Sequence, residues 1–401
     1  MTAAAGTTPT QNEERRALGV ACGAHALHDG YTDLIYVMLP IWQHEFGIGF
    51  AALGLMKTVF SGTLAGFQIP SGFLAERYGT PLVLALGTAL AGIGYCFAGF
   101  SGGFAPLVAA LFVGGLGAST QHPLASSLIA RAYAGPRSLK MLGTYNFAGD
   151  IGKMTLPAAA SLLFVVLPWR HALILLGGLG VLAAIVVFVL IPRFGAEAAP
   201  PRKTESGAAG SSRLSQFGFP LLLSVGVIDS ATRMAFLTFL PFVLTAKGAS
   251  LPTIGLALTL VFAGGAAGKL VCAFIGARIG AVATVWLTEA VTALGIVGLL
   301  PLSLDPALLV LPLIGVALNG TSSVLYGSVP ELVAPDKRQR AFGIFYTGTI
   351  GAGAVSPALY GLLGDALGVP KTLMVVAAVV LLTLPITLAL RPALAARPST
   401  S

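Results

Sequence analysis

One face of the first long apolar segment carries a stripe of polar and ionisable side chains. The stripe advances in steps of three, one, three, one and three residues, and it consists of His25, His28, Asp29, Thr32, Asp33 and Tyr36. Such steps place side chains along one face of a helix. A charged side chain at the centre of a bilayer costs at least ~2.5 kcal/mol on insertion scales, so this face must meet protein or water. We interpret the stripe as the wall of a transport pathway.

Proton binding is the chemistry that these residue types favour. A buried carboxylate that lacks a fixed base can hold a proton near neutral pH and carry it, and histidine titrates in the same range. The predicted proton-coupling residues are therefore His25, His28, Asp29 and Asp33. The same four side chains could instead ligate a transition metal, but they come from one helix, whose side chains diverge around its axis. We therefore predict neither a metal nor another cofactor.

Further polar and charged side chains fall near the middle of other apolar segments, judged at ~1.5 Å of rise per residue. Together with Tyr36 they form the predicted substrate-binding set, which consists of Tyr36, Lys57, Asn146, Asp150, Lys153, Asp229 and Arg233. Lys57, Lys153 and Arg233 would offer positive charge to an anionic group such as a carboxylate or a phosphonate. Glu289 and Lys269 are also charged residues within apolar segments.

Structural roles for several of these residues stay open. Asp229 and Arg233 are one helical turn apart and could form an ion pair that only stabilises the fold. Asp150 and Lys153 could likewise fix one helix to a neighbour. His122, near the inner end of an apolar segment, is interpreted as a packing or hinge residue. The position of each side chain in the fold is needed to separate these interpretations.

The composition is that of a membrane protein. Of the 401 residues, 56% are hydrophobic and 9% are charged, whereas soluble domains carry roughly 25% charged residues. The formal net charge of +8 does not indicate a nucleic-acid partner, because the basic residues stand in short loops between apolar runs. No Gly-x-x-x-x-Gly-Lys-[Ser/Thr] motif occurs, which argues against an ATP-driven pump. An ion gradient is thus the expected energy source.

Twelve membrane spans are predicted from the apolar runs. Their approximate bounds are 17–41, 51–74, 81–100, 104–131, 140–166, 170–192, 216–245, 252–275, 281–300, 306–329, 340–363 and 370–391. A polar stretch rich in Pro, Gly, Ser and charge is typical of a flexible linker. The predicted organisation is a cytoplasmic tail at 1–16, a six-helix bundle at 17–192, the linker at 193–215, a second six-helix bundle at 216–391 and a cytoplasmic tail at 392–401.

The distribution of Lys and Arg predicts the topology. With the N-terminus inside, sixteen of the 23 Lys and Arg residues fall in cytoplasmic segments, and the outer loops hold only Arg170, Lys247 and Lys371. Cytoplasmic loops of membrane proteins carry an excess of these residues. We therefore predict that both termini lie in the cytoplasm and that the protein resides in a bacterial inner membrane.

The two halves of the chain repeat each other at an offset of 200 or 201 residues. The matches pair Asp29 with Asp229, Asp33 with Arg233, Pro40 with Pro241, Arg77 with Arg278, Gly79 with Gly280 and Pro157 with Pro357. Parallel repeats about an axis along the membrane normal are the plan of one class of secondary transporters, in which substrate binds near the midplane between the halves. We therefore predict two parallel six-helix repeats with a substrate site between them.

The segment between spans two and three resembles the signature of the major facilitator superfamily. It reads GFLAERYG and supplies Gly72, Glu76, Arg77 and Gly79 of the pattern Gly-x-x-x-(Asp/Glu)-Arg-x-Gly, and a degenerate second copy retains Arg278. The resemblance implies the major facilitator fold, an all-α membrane protein with twelve transmembrane helices in two parallel-repeat six-helix bundles. It also implies that Glu76 and Arg77 act in a cytoplasmic gate, to which the other motif positions belong.

Within that superfamily the chain is most similar to carriers of the fosmidomycin-resistance type. The supporting stretches are HALHD at 25–29, LPIWQHEF at 39–46, GASTQHP at 117–123 and NFAGDIGKMTLP at 146–157. The resemblance favours export of a small polar or anionic organic solute by proton antiport. Uptake by proton symport, or by metal-ion symport, is the alternative.

Two other classes of function fit the residues less well. An enzyme that acts on lipid would need a nucleophile and a base at the membrane interface, and no such set stands out. A receptor or assembly partner would be favoured by a large soluble domain, and none is predicted. We expect a monomeric secondary transporter that is not an enzyme. Its expected partners are a small-molecule substrate, protons and the lipid bilayer, without nucleic acid.

Overall fold

The computed structural model describes residues 9–133, 136–192, 213–334 and 337–395. These residues form helices and their connections, with no strand among them. The helices are α1 (Gln11–Phe46), α2 (Phe50–Gly66), α3 (Gln68–Tyr78), α4 (Thr80–Phe100), α5 (Phe104–Ala118), α6 (Gln121–Ala132), α7 (Pro136–Val166), α8 (Trp169–Leu190), α9 (Arg213–Ala246), α10 (Leu251–Ile279), α11 (Ala281–Leu299), α12 (Leu304–Leu332), α13 (Arg338–Leu367), α14 (Val369–Leu381) and α15 (Thr383–Ala395). Residues 193–212 of the predicted linker, and residues 1–8 and 396–401 of the predicted tails, lie outside the described residues.

Helix α1 begins with a reciprocal cap between Thr10 and Glu13. The Thr10 backbone N–H donates to the Glu13 carboxylate at 2.8 Å, and the Glu13 N–H donates to the Thr10 hydroxyl at 3.3 Å. This capping box satisfies donors that have no partner within the helix. The hydrogen bonds from Thr10 also lower the pKa of the Glu13 carboxyl. The cap explains why α1 starts before the predicted span at 17.

Ten helical segments of the described chain are long and apolar enough to cross a membrane, and the bent α2–α3 pair makes eleven. Helix α1 is not among them, because His25, His28, Asp29 and Asp33 lower its mean hydropathy. The predicted number of twelve spans is therefore not confirmed, although every predicted span coincides with one helix or with two consecutive helices. The chain is an integral membrane protein built from apolar helices.

A proline follows each break within three of the predicted spans. The breaks between α2 and α3, α5 and α6, and α14 and α15 each come shortly before a proline. Proline has no N–H to donate, and its ring clashes with the carbonyl four residues earlier. The prolines and the positions four residues before them are Pro70 with Gly66, Pro123 with Ser119, and Pro385 with Leu381. The helix therefore ends at or next to each of these positions, and the α2–α3 pair bends by 44°.

The chain divides into two compact units, each with its own apolar core. The first comprises Met1–Ile35 and Val59–Lys203, and the second comprises Tyr36–Thr58 and Thr204–Ser401. In the first unit α4 packs against α5 and α8. In the second unit α9 packs against α13, and α12 packs against α10 and α11. The boundaries between Ile35 and Tyr36 and between Thr58 and Val59 fall within α1 and α2.

Within the second unit, Asp365 of α13 caps the start of α2. Its carboxylate accepts hydrogen bonds from the backbone N–H of Phe50 at 2.6 Å and of Ala51 at 3.0 Å. A carboxylate is stabilised at a helix N-terminus by the free N–H groups and the helix dipole. One turn further, a Cβ on Gly54 would collide with the Pro357 carbonyl oxygen, so the two backbones are in contact there.

Two pairs of glycines with positive φ repeat at the offset of 201 residues. Gly47 and Gly248 have φ of +60° and +87°, and Gly79 and Gly280 have φ of +89° and +83°. Gly79 stands between α3 and α4, and Gly280 stands between α10 and α11. The two halves therefore share turn geometry as well as sequence, which supports the predicted internal repeat.

Gly79→Ala is expected to destabilise the protein by about 1–3 kcal/mol, because a side chain is strained in this backbone region. Gly79 has φ of +89° and ψ of 141°. Gly72→Ala is the matched control, since Gly72 lies inside α3 and a Cβ there meets nothing within 4 Å. Alanine in a helix interior should be neutral or stabilising by up to ~1 kcal/mol. Thermal unfolding in detergent measures both variants, and equal stability would contradict the strain argument.

Candidate functional site

A partly buried ion pair joins α1 to α7 within the first unit. Lys153 Nζ lies 3.2 Å from Asp29 Oδ2, and His25 Nε2 lies 3.3 Å from the same oxygen. The side chains of His25 and Asp29 are 4% and 11% exposed, and that of Lys153 is 31% exposed. One carboxylate oxygen that is shielded from water is thus shared between an ammonium and an imidazole.

Glycines in α7 leave the room that these contacts need. A Cβ on Gly152 would collide with the Ala26 carbonyl oxygen, so α1 and α7 touch along their backbones. A Cβ on Gly149 would stand 2.6 Å from Asp29 Oδ2 and 2.7 Å from His25 Cε1. Small residues allow membrane helices to approach this closely. The glycines of α7 therefore position the charged pair as well as the two helices.

The hydrogen-bond partners of His25 determine which of its ring nitrogens carries a hydrogen. His25 Nδ1 lies 2.8 Å from the Tyr145 carbonyl oxygen, which can only accept, so Nδ1 carries a hydrogen. Nε2 then faces the Asp29 carboxylate, and a hydrogen on one of the two groups is needed to avoid opposing lone pairs. The Tyr145 ring stacks on the imidazole with centroids 3.9 Å apart. Nε2 itself makes no hydrogen bond within the described part of the chain. A role for His25 and Asp29 in proton coupling stays a prediction.

His28 has a different set of contacts. Its Nε2 lies 3.1 Å from Thr88 Oγ1, and the Thr88 hydroxyl itself donates to the Leu84 carbonyl oxygen at 2.9 Å. Thr88 is thus the acceptor, and His28 Nε2 carries the hydrogen. Nδ1 of His28 is buried and has no hydrogen-bond partner within the described part of the chain. A neutral imidazole fits these contacts, and its role in proton coupling stays a prediction.

His122 of α6 approaches the same carboxylate. Its Nε2 lies 3.9 Å from Asp29 Oδ1, and its ring meets the His25 ring edge-on with centroids 5.1 Å apart. The ligand atoms of His25, Asp29 and His122 lie within 4.8 Å of one another, a spacing that could hold a metal ion. This set differs from the predicted metal alternative, which took all its ligands from α1. The Lys153 ammonium beside Asp29 disfavours a second cation there.

Two further carboxylates lie within electrostatic range of the Lys153 ammonium. Asp33 and Asp150 are 6% and 9% exposed, and both act electrostatically on Lys153, as Asp29 does. Three carboxylates thus act on one ammonium within the first unit. A structural pairing of Asp150 with Lys153 stays a prediction.

In the second unit, Tyr36 and Lys57 form one cluster. Tyr36 is fully buried, and its hydroxyl donates to Met234 Sδ at 3.2 Å. Lys57 Nζ lies 4.4 Å from the centroid of the Tyr36 ring. An ammonium above an aromatic face gains a cation–π attraction, which is larger when the site is dry. The structure thus brings together two of the predicted substrate-binding residues.

Asp229 and Arg233 belong to a second cluster, which contains an additional acid. The carboxyls of Asp229 and of Glu289 in α11 act electrostatically on each other, and the charge of Arg233 acts on both. Arg233 Nη1 also donates to Asn319 Oδ1 at 3.5 Å. Asp229 and Glu289 are 4% and 1% exposed. The predicted Asp229–Arg233 pair is therefore part of a larger buried group.

The remaining predicted residues have exposed side chains. Asn146 is exposed in α7, and Glu76 and Arg77 are exposed in α3. The Arg77 guanidinium lies 5.3 Å from the Tyr78 ring centroid. Arg278 is exposed in the last turn of α10. Roles in substrate binding and in a cytoplasmic gate stay predictions for these residues.

Gly149→Ala is expected to separate His25 from Asp29 and to destabilise the protein by about 1–3 kcal/mol, because the added methyl overpacks the site. Gly143→Ala is the matched control, since Gly143 also lies in α7 and a Cβ there meets nothing within 4 Å. Chemical denaturation in detergent measures the difference. If the two variants are equally stable, the tight contact around Gly149 is refuted.

Comparisons with known proteins identify the family. The sequence profile of the Major Facilitator Superfamily matches residues 21–226 and 222–401. The fosmidomycin resistance protein of Escherichia coli (strain K12) is 24% identical over 378 residues, which cover 90% of this chain and 89% of that relative. The chain belongs to the Major Facilitator Superfamily, a family of transporters and not of enzymes. The predicted resemblance is confirmed.

A further relative and a solved structure extend the comparison. The 4-hydroxybenzoate transporter PcaK of Pseudomonas aeruginosa is 34% identical over 155 residues, which cover 38% of this chain and 34% of that protein. A crystal structure of a bacterial homologue of the human lysosomal transporter Spinster superposes with a TM-score of 0.78 at 17% identity, covering 98% of this chain and 100% of that one. At this identity the likeness shows the fold alone.

Sequence reasoning missed several partners of the predicted residues. Glu289 is an acid within an apolar segment, and this position is the signal that indicates a buried partner for another charged residue. Thr88, Tyr145 and Asn319 carry no such signal, because polar residues that only hydrogen-bond are common in membrane helices. Their contacts follow from helix packing, which the sequence does not show directly.

Proposed function

We propose that the chain is a secondary active transporter that moves a small organic anion across the bacterial inner membrane by proton-coupled alternating access. The observation that carries the proposal is the sharing of one buried oxygen of Asp29 between His25 and Lys153. A carboxyl–imidazole pair can hold one proton in either of two positions and release it when its surroundings change. We further propose that the chain acts as a monomer with both termini in the cytoplasm.

The ion pair between Asp29 and Lys153 supplies a coupling mechanism. While Asp29 is charged, it neutralises the Lys153 ammonium at 3.2 Å. A proton on Asp29 removes that counter-ion and leaves the ammonium available to the anionic group of a substrate. Each ligand then strengthens the binding of the other by the same factor, because coupling between two sites is reciprocal. Proton and anion would therefore bind together.

The substrate class follows from the buried cations and from the relatives. Lys57, Lys153 and Arg233 each belong to a different cluster of buried or partly buried polar residues. Such cations favour a carboxylate or a phosphonate group. One relative is named for transport of 4-hydroxybenzoate, which is a carboxylate, and another for resistance to fosmidomycin. These names support an organic anion as the substrate.

The direction of transport has support on both sides. The relative named for fosmidomycin resistance favours export by proton antiport. The Asp29–Lys153 pair favours symport, since a bound proton strengthens rather than weakens the binding of an anion. We take proton–anion symport as the better supported mechanism, and export by proton antiport is the second candidate.

Binding and flux of two probes, 4-hydroxybenzoate and fosmidomycin, test the proposal. A bound ligand raises the stability of the purified protein by about 2.7 kcal/mol at one hundred times its Kd. Under symport, stabilisation by the probe should increase as the pH falls, and an inward pH gradient in proteoliposomes should drive the probe inward. Antiport predicts the opposite dependence on both measurements. Transport that ignores the pH gradient would refute proton coupling.

A further inference from the structure

A second group of buried acids lies within the second unit, far along the chain from the stripe of α1. Asp229 of α9 and Glu289 of α11 are 4% and 1% exposed, and each carboxyl acts electrostatically on the other. Two neighbouring acids in a buried site disfavour the state in which both are charged. The pair therefore favours one bound proton.

The charges around the two acids support the same conclusion. Arg233 acts on both carboxyls, and it is one helical turn from Asp229. With one proton the three groups together are neutral, and without it they carry one net negative charge inside the membrane. Glu289 Oε1 is buried without a hydrogen-bond partner in the described part of the chain. An unpaired oxygen is far more costly on a charged carboxylate than on a neutral carboxyl.

A chain of threonine hydroxyls can adapt to either protonation state of Glu289. Thr321 contacts Glu289, and its hydroxyl also lies 2.7 Å from Thr288 Oγ1. Thr288 Oγ1 lies 3.0 Å from the Thr284 carbonyl oxygen. The hydroxyls can all point away from Glu289, toward the Thr284 carbonyl, or all point toward Glu289. A gain or loss of the proton can therefore be accommodated by hydroxyl rotation, without movement of the helices.

We propose that Asp229 and Glu289 together bind one exchangeable proton in the second unit, at a site separate from His25 and Asp29. Among the described residues, Tyr326 of α12 is a further titratable group near this site, and both Arg233 and Asp229 act on its hydroxyl. A role for this proton as a coupling ion rests on the proposed function. Binding of the proton is argued from the burial and charges of the acid pair, and it is tested without a transport assay.

Infrared spectroscopy of the purified full-length protein at neutral pH tests the proposal. The wild-type protein should show the C=O stretch of a protonated carboxyl, and this band should shift in deuterated water. Glu289→Gln and Asp229→Asn should each abolish it, because the remaining acid then pairs with Arg233 as a charged carboxylate. Roughly one proton fewer per chain should be released in an alkaline titration of either variant, as expected for a pair that titrates as a unit.

Three variants make the result specific. Asp305→Asn removes an exposed carboxyl at the start of α12 and should leave the band unchanged. Asp29→Asn should also leave it unchanged, so failure of the first proton site is distinguishable from failure of the second. Thr321→Val keeps both acids but removes a hydrogen bond to Glu289, and it should shift the band. A shift of the band in Thr321→Val assigns the protonated carboxyl to the pair that contains Glu289, even if the other substitutions impair folding.

The proposal is overturned if the wild-type spectrum contains no such band. It is also overturned if the band persists in folded Glu289→Gln and Asp229→Asn proteins and does not move in Thr321→Val. Loss of the band in Asp29→Asn alone would assign the proton to the first unit and leave the proposed function intact.

Discussion

Asp29→Asn is expected to abolish accumulation of an anionic probe driven by a pH gradient while the protein stays folded. The amide cannot take up a proton, and it does not neutralise Lys153, which lies 3.2 Å from Asp29 Oδ2. The variant should therefore bind 4-hydroxybenzoate or fosmidomycin with an affinity that no longer depends on pH. Transport down a concentration gradient should remain, because binding and release do not require the proton.

Counterflow and gradient-driven uptake in proteoliposomes separate the two activities. Asp305→Asn is the control, because this acid is exposed at the start of α12. Accumulation by Asp29→Asn at the wild-type level would remove Asp29 from the coupling mechanism. If binding of the probe by Asp29→Asn still depended on pH, Asp29 would not be the group that competes with the anionic probe for Lys153, even if accumulation were lost.

Lys153→Met is expected to destabilise the protein by about 2–4 kcal/mol, because it leaves a buried carboxylate without its counter-ion. The expected loss lies below the upper range for fully buried pairs, since the Lys153 side chain is 31% exposed and partly screened. The double variant Lys153→Met/Asp29→Asn should recover most of the stability, because both charges are then absent. Denaturant unfolding of the four proteins of the cycle gives the interaction energy.

A surface ion pair provides the comparison for this cycle. Arg137 Nη2 lies 2.8 Å from Glu14 Oε2, but its side chain is 67% exposed. Exposed pairs contribute about 0–1 kcal/mol, so Arg137→Met should be nearly neutral. If Lys153→Met is as mild as Arg137→Met, or if the double variant is the least stable of the set, the buried ion pair does not stabilise the fold.

The first helix illustrates how far sequence alone could lead. The spacing of His25, His28, Asp29 and Asp33 predicted that their side chains share a buried face, and all four are buried. The prediction worked because helical periodicity and the cost of charge in lipid both act locally. Family membership could be predicted equally well, since the motif from Gly72 to Gly79 and the repeat at 201 residues can both be identified in the sequence.

Partners from other helices were not accessible in the same way. Lys153 was expected to serve the substrate or to pair with Asp150, whereas it lies against Asp29 of another helix. That contact depends on the backbone approach at Gly152, which no local pattern reveals. The interaction of Asp229 with Glu289 likewise joins residues of two different helices, α9 and α11. Long-range pairing needs the fold, because many charged residues in apolar helices could have met.

The predicted number of twelve spans was not confirmed for a related reason. Composition alone excludes α1, since its polar face lowers the mean hydropathy that identifies membrane helices. A helix that carries functional side chains toward protein or water is therefore the one that such a criterion is most prone to miss.

The ammonium that sits beside Asp29 also determines which ions this carboxylate can accept. A proton adds to the oxygen without needing space of its own, whereas sodium or a divalent metal must take several oxygen or nitrogen ligands and displace the lysine. The arrangement thus selects for the smallest cation by occupying the position that a larger one would require. Coupling through Asp29 should accordingly be indifferent to sodium, and a switch to another driving ion would first require the replacement of Lys153.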